Sequence, residues 1–305
     1  MTSSFNVPVA FRRYKGPTPF PPNVTEAALD AVEIFEYRDG DVILSSFPKS
    51  GTHWVNEVIQ LILHDGDPTK LHHRHRRLGL ELTDVGDLSD VNKMKPSVVL
   101  VQDDPSPRVL KTHLLPSYLS KETWTRRIPI VYMMRNPRDV FVSFHNFLSK
   151  LKTFNGKPML KENNFDKFLE DFIAGEVGFG SWCDHATEFE KAAAKGENIL
   201  FVTYEDMKKD MATVVKSIAN HLGHEINDEI LAKIVENTTV DAMRRNYQEA
   251  AKAQDELNAD LSIYVKTGVG DTKKKEIPED KWKTLNEVFK EKVKDTVYAK
   301  RYFQD

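Results

Sequence analysis

The sequence predicts an α/β fold: a single domain with a central parallel β-sheet flanked by helices, and a P-loop-like turn for phosphate. Three observations predict it. Short apolar runs of strand length recur along the chain, and most are followed by a stretch whose apolar residues repeat at helical spacing. No internal repeat or shift of composition divides the chain. Strands buried on both faces read as near-continuous apolar runs, and strands alternating with helices are joined in parallel. In such a sheet ligands lie beyond the carboxyl ends of the strands, so those ends are where chemistry is sought.

The elements follow in chain order. Residues 1–23 are rich in proline and read as an extended N-terminal arm, with the domain proper spanning 24–305. Asp41–Phe47 (DVILSSF) is a buried strand, and Thr52–Leu63 places Val55, Val58, Ile59 and Ile62 on one helical face. Arg108–Thr112 (RVLKT) and Ile128–Met134 (IPIVYMM) are further strands. A helix follows the second, with Pro137 near its start and Val140, Phe144, Phe147, Leu148 and Leu151 on one face. Phe165, Phe168, Leu169, Phe172 and Ile173 mark another helix. Ile199–Tyr204 (ILFVTY) is a strand, and the next helix carries Met211, Val214, Val215, Ile218 and Leu222, with Gly223 as its stop. Residues 237–280 are polar, and KTGVGDTKKK within them reads as a long loop.

Composition narrows the function classes. The chain has 305 residues and 40% apolar composition, enough for a sizeable core. A net charge of −3 supplies no bulk basic field for nucleic acid. One cysteine, Cys183, cannot form an internal disulfide and fits a reducing compartment. The N-terminus lacks the apolar core of a signal peptide, and no run approaches the roughly 20 apolar residues of a membrane span. The expectation is a cytoplasmic protein with neither nucleic-acid nor membrane partners.

The most informative segment is Ser45–Trp54, SSFPKSGTHW, where a strand ends, a turn follows and a helix begins. Successive N–H groups at such a junction point at an anion, aided by the helix dipole. Gly51 permits close backbone approach, Lys49 supplies charge, Ser50 and Thr52 supply hydroxyls, and Trp54 offers a face for a base. The lysine precedes the glycine and no earlier glycine frames the turn, so this is not the Walker A spacing. The alternative is a surface turn whose Thr52 caps the helix, which the position between a buried strand and an amphipathic helix disfavours.

Other segments extend the pattern. Together with PKSGTHW, the segments Arg135-Asn136-Pro137-Arg138-Asp139-Val140 with Ser143, Lys111-Thr112-His113, Gly180-Ser181-Trp182, Tyr204-Glu205-Asp206-Met207 and the arm YKGPTPFPP resemble, in order, the cytosolic sulfotransferase family. The resemblance spans the arm to about residue 271. It implies an enzyme that moves a sulfuryl group from 3′-phosphoadenylyl sulfate (PAPS) to a hydroxyl or amine of a small, largely apolar acceptor. Carried over residue by residue, it implies that Lys49, Ser50, Gly51, Thr52 and His53 hold the 5′-phosphosulfate and that Trp54 stacks on adenine. Arg135 and Ser143 take the 3′-phosphate, Tyr204 and Thr238 contact the adenosine part, and His113 is the base with Lys111 beside it.

Sulfuryl transfer asks for alignment, charge stabilisation and proton removal, as phosphoryl transfer does. Lysines and an arginine at strand ends, with no evident carboxylate pair for Mg²⁺, suit a reaction without metal. Arg135 follows directly on a buried strand and is read as a phosphate ligand. Arg138 is read as structural, and an ion pair with Asp139 remains the alternative for both. With ten histidines in the chain, His113 stands out only by its KTH context.

The sequence departs from the family pattern at several points. Where the family reads Arg-Lys-Gly-x-x-Gly-Asp-Trp, this chain has Val265-Lys266-Thr267-Gly268-Val269-Gly270-Asp271-Thr272. Val265 takes the place of the phosphate-binding arginine, or Lys266 does after a slip of one residue, and Lys266 and Thr267 are kept as donor-binding candidates. Val240 stands where a second adenine-facing aromatic is common, and His53 replaces a common Thr. The family's dimer motif is not matched after Asp271, which puts dimerisation by that route in doubt while a homodimer stays open. His72–Arg77 and Lys273–Lys275 read as solvated basic stretches, and Cys183 as an inert packing residue. Phe20, Phe144 and Phe147 suit either an acceptor pocket or the core. The competing functions are a 3′-phosphoadenosine-binding protein with little turnover, and a P-loop phosphotransferase.

Overall fold

Four parallel strands carry the molecule. In the computed structural model, residues 11–71, 79–82, 96–150, 160, 165–253 and 278–303 are described, with backbone only for 150 and 247–253. A short antiparallel ribbon, β1 (Arg12–Arg13) with β2 (Pro19–Phe20), precedes the sheet. The sheet comprises β3 (Val42–Ser46), β4 (Val109–Thr112), β5 (Ile130–Met134) and β6 (Ile199–Thr203) in the order β4-β3-β5-β6. All three pairings are parallel. Each strand is one or two residues shorter than the sequence run that predicts it, because the flanking residues turn out of the ladder.

Alternation along the strands sends side chains to two clusters. Ile43, Leu110, Ile130 and Tyr132 join the larger, and Val42, Leu44, Val109, Val131 and Met133 join the other. On the larger cluster pack α1 (Glu26–Glu33), α5 (Pro137–Lys150), α6 (Phe165–Ala174), α7 (Trp182–Ala194) and α12 (Glu279–Lys292). Between α1 and α5 run the short α3 (Ser97–Leu100) and α4 (Lys121–Thr125). The opposite face is covered by α2 (Thr52–Leu63), α8 (Tyr204–Lys209), α9 (Met211–His221) and α10 (Asp228–Asn237). The predicted helix over Thr52–Leu63 is found with those bounds.

The main difference from the sequence reading lies in residues 237–280, where α11 (Val240–Ala253) forms a helix. Its only described buried residues are Ala242 and Met243, so charge hides a short apolar stripe. KTGVGDTKKK lies outside the described residues. Helices α7, α10 and α12 were likewise not anticipated. Phe289 and Leu285 anchor α12 to the core at zero exposure, amid a mostly charged sequence.

At the amino end of the sheet Arg108 and Asp41, both buried, form a two-pronged pair, with Nε–Oδ1 at 2.8 Å and Nη2–Oδ2 at 2.5 Å. The carboxyl edge is where Ser46, Thr112, Met134 and Thr203 hand the chain to the turn at 47–51, to His113, to Arg135 and to Tyr204.

Candidate active site

The junction of β3 and α2 begins from its backbone. Lys49 takes a left-handed φ of 70° and Gly51 one of 109°, and α2 starts at Gly51 with no side-chain cap. A left-handed residue other than glycine costs roughly 1–2 kcal/mol, so the turn is held by its surroundings. A Cβ on Gly51 would stand 2.9 Å from Tyr204 Cδ2 and 3.0 Å from Met133 Cε, so glycine is required for space as well as for φ. Thr52 does not cap the helix: its hydroxyl lies 2.7 Å from that of Ser46. The amino end of α2 is therefore left without a side-chain cap.

Lys49 arches over the Phe147 ring, with Nζ 4.0 Å from the centroid. Arg135 lies flat on Tyr204, Cζ 4.2 Å from the ring centre. Its other contacts are long, 3.4 Å from Nη1 to Lys49 O and 3.6 Å from Nη2 to Asp139 Oδ2. Its Nε is buried with no hydrogen-bond partner among the described residues. Trp54 meets Tyr204 edge to face at 5.2 Å and donates Nε1–H to the Thr238 carbonyl at 2.9 Å. The Thr238 hydroxyl donates back to Ile234 O at 2.8 Å, so this residue is buried against α10 and its carbonyl anchors the tryptophan. Arg138 sits over Trp282 at 4.9 Å, away from this group.

Asn136 starts α5. Its Oδ1 accepts from Arg138 N at 2.9 Å, and its own N–H donates to Glu205 Oε1 at 3.0 Å. Glu205 also accepts from the Tyr302 hydroxyl at 2.9 Å. Ser143 is half-buried one and a half turns into the helix.

His113 leaves the end of β4. Its Nδ1 is 2.7 Å from the Ser46 carbonyl oxygen and its ring stands edge-on to Phe179, 5.3 Å between centres. A carbonyl only accepts, so Nδ1 carries the proton and Nε2 keeps a lone pair. Burial depresses the imidazole's pKa, against the raising effect of Glu81 and the Ser46 bond, and Lys111 and Lys49 lower it further. The ring is thus held neutral. Lys111 is buried on β4, beside Leu44 of β3.

The structure brings together the turn, Trp54, Arg135, Tyr204 and Thr238 in one cluster, and ties His113 to Ser46 at the foot of the turn. Lys266 and Thr267, with Val265, lie outside the described residues, as do His72–Arg77 and the segment from Asp271 to residue 277. Phe20 and Phe144 are buried in the core cluster, whereas Phe147 is half-buried beneath Lys49. Burial drives the Cys183 thiol pKa up, consistent with a packing residue. Sequence reasoning missed Glu81, which accepts from Thr112 Oγ1 at 2.8 Å and from His113 N at 3.0 Å, and missed His185. No local pattern marks either. Among the described residues no group of three or more His, Cys, Asp or Glu is placed to hold a metal ion, and no helix is long and apolar enough to cross a membrane.

The fold and the turn define an α/β protein with a P-loop-like turn at the carboxyl edge of a parallel sheet. A family model described as a sulfotransferase domain matches residues 39–297. Sulfotransferase 1 family member D1 of Mus musculus is 31% identical over 270 residues, 87% of each chain. Sulfotransferase 1E1 of Mus musculus is 29% identical over 269 residues, again 87% of each. The crystal structure of mouse sulfotransferase SULT7A1 complexed with PAP superposes with a TM-score of 0.75 at 28% identity, covering 96% of this chain and 97% of that one. The chain belongs to the sulfotransferase family. It is a sulfotransferase, and PAPS is the co-substrate of its family. The phosphotransferase and turnover-free alternatives are set aside.

Proposed function

We propose that the carboxyl edge of the sheet performs sulfuryl transfer to the hydroxyl or amine of a small, largely apolar acceptor, with His113 as the general base. The single observation that carries the base assignment is the 2.7 Å bond from His113 Nδ1 to Ser46 O, which leaves Nε2 as a neutral acceptor. A base with a lone pair aimed by a buried contact removes the acceptor's proton as its oxygen or nitrogen attacks sulfur.

The residues present fit the donor. PAPS supplies the sulfuryl group and a leaving nucleotide phosphate. The uncapped start of α2, with Lys49, Ser50, Gly51, Thr52 and His53, offers N–H groups and charge to the phosphosulfate. Lys49 and Lys111 stabilise negative charge at the transferring group, taking the part a metal has in phosphoryl transfer. Arg135, whose Nε has no partner among the described residues, and Ser143 take the 3′-phosphate. Trp54 and Tyr204 present rings to the adenine, and Thr238 holds Trp54. Lys266 and Thr267 are assigned to the donor by resemblance alone. The apolar character of the acceptor is supported by Phe179 against His113 and by Phe147 beneath Lys49. The test is turnover of labelled PAPS with a panel of phenols, steroids, other alcohols and amines, by wild type and His113→Ala. Turnover confined to charged, strongly polar acceptors would sink the apolar assignment, and near-wild-type turnover by His113→Ala would sink the base.

A further inference from the structure

The main chain of His113 is gripped on both sides of its Cα. Its N–H donates to Glu81 Oε1 at 3.0 Å, and its carbonyl oxygen lies 3.1 Å from His185 Nε2. His185 is fully buried on α7, and its Nδ1 lies 2.8 Å from the Tyr132 hydroxyl of β5. The protonation pattern of this chain is determined by its ends. A carbonyl can only accept, so His185 Nε2 carries the hydrogen, Nδ1 has the lone pair, and the Tyr132 O–H donates to it. Burial depresses the pKa of His185 to about 3, so the ring stays neutral and both nitrogens keep these roles.

The surroundings are apolar. Phe47 stands edge-on to His185 at 5.8 Å, and Phe189 lies 5.3 Å away. An aliphatic or aromatic side chain would suit such a site without the desolvation cost of two polar nitrogens. What the imidazole adds is a donor aimed at one carbonyl, that of the proposed base. The chain from β5 through α7 thus ends on His113, whose ring in turn bonds to Ser46 of β3.

We propose that His185 is a positioning residue of the sulfuryl-transfer reaction: as its Nε2–H tautomer it ties the His113 carbonyl to the Tyr132 hydroxyl, and so fixes where His113 Nε2 points. This rests on the reading of His113 as the base. Tyr132 selects the tautomer of His185, and Glu81 holds the peptide on the other side of the His113 Cα. A displacement of about 1 Å at a reacting group can cost on the order of 100-fold in rate, so a clamp on the main chain of the base acts on turnover rather than on binding.

The test uses the full chain with four substitutions. His185→Phe keeps a ring and removes both hydrogen bonds. His185→Gln places an amide N–H where Nε2 stands, whereas His185→Asn places one nearer Nδ1. Tyr132→Phe frees the tautomer. His185→Phe is expected to lower kcat by about 10- to 100-fold with acceptor KM and calorimetric affinity for PAP unchanged. His185→Gln recovers most of that loss and His185→Asn does not, while Tyr132→Phe falls between wild type and His185→Phe. Wild-type kcat in folded His185→Phe overturns the proposal. So does equal kcat in the Gln and Asn variants, a comparison that still decides if the Phe variant fails to fold. Parallel loss of kcat and PAP affinity also overturns it, since that is the mark of a merely structural residue. His113→Ala separates the two readings. If it retains turnover, the base assignment fails and the proposal with it; if it is inactive while His185→Phe is normal, only the proposal fails.

Discussion

The two halves of the site are built on opposite principles. On the donor side, Lys49, Arg135 and Trp54 are partly exposed, Lys49 and Arg135 lie against ring faces, the hydrogen bond of Arg135 to Lys49 O is long, and the start of α2 has no side-chain cap. On the base side, Ser46, Glu81, Tyr132 and His185 are buried: hydrogen bonds link Ser46, Glu81 and His185 directly to His113, and Tyr132 reaches it through His185. The first half has an uncapped helix start and an arginine whose Nε has no hydrogen-bond partner among the described residues. The second has its polar atoms already spent on holding one ring. Binding energy is expected from the first and rate from the second.

His113→Ala tests the rate half with the largest effect. Loss of an acid–base group typically lowers turnover about 10²–10⁴-fold, and PAP affinity by calorimetry should stay as in wild type. The pH profile carries a sign as well. Burial lowers the imidazole's pKa below its ordinary 6.5, so the base stays neutral and active at pH values where a free histidine is protonated. The acid limb of kcat/KM should therefore lie below pH 6.5. An acid limb above it would mean that another group limits the rate.

Arg135→Ala tests the binding half. A hydrogen bond to a charged group contributes roughly 1.5–3 kcal/mol, or about 10- to 100-fold in affinity. The variant should bind 3′-phosphoadenosine that much more weakly and 5′-AMP nearly as wild type, since 5′-AMP lacks the 3′-phosphate. Equal losses for both ligands would show that Arg135 supports Tyr204 rather than the phosphate.

The same comparison explains what the sequence made legible. The donor half is local: Pro-Lys-Ser-Gly-Thr and Arg-Asn-Pro-Arg-Asp each follow a buried strand, so motif and position point the same way. The base half is long-range. Glu81 lies in an undistinguished Leu-Gly-Leu-Glu-Leu, and His185 falls four residues into a helix that the periodicity did not announce. Their meaning appears only when β4, β5 and α7 meet. The strands were readable because burial on both faces makes them uniformly apolar. Helices α11 and α12 were not, because among the described residues each buries only a few and shows charge elsewhere.

Acid stability separates the halves in a smaller way. The folded-state pKa of His185 is about 3 and its unfolded value about 6.5, so between those values the unfolded chain binds the extra proton. Stability is then full above pH 6.5 and is lost as pH falls toward 3, by up to ~1.4 kcal/mol per pH unit from this one group. His185→Phe should flatten the dependence of denaturation midpoint on pH across that window. A slope identical to wild type would mean that His185 is protonated in the folded protein, and the tautomer assignment could not stand.

The smallest expected effect comes from the C-terminal turn, Ala299–Phe303, which reaches the donor half through one carboxylate. Glu205 accepts from the Tyr302 hydroxyl at 2.9 Å and from Asn136 N at 3.0 Å, and Asn136 begins the helix that carries Ser143 directly after Arg135. Removing the hydroxyl leaves the Glu205–Asn136 bond in place but frees Glu205 to turn. A neutral hydrogen bond contributes about 0.5–1.5 kcal/mol net, and one to a charged group somewhat more. Tyr302→Phe should therefore lower stability by about 1 kcal/mol and weaken 3′-phosphoadenosine binding by less than Arg135→Ala does, with 5′-AMP binding and the acid limb of turnover unchanged. Because the tie enters the donor half only, a shift in the acid limb would show that the halves are mechanically joined, and that the division between a binding half and a rate half is wrong.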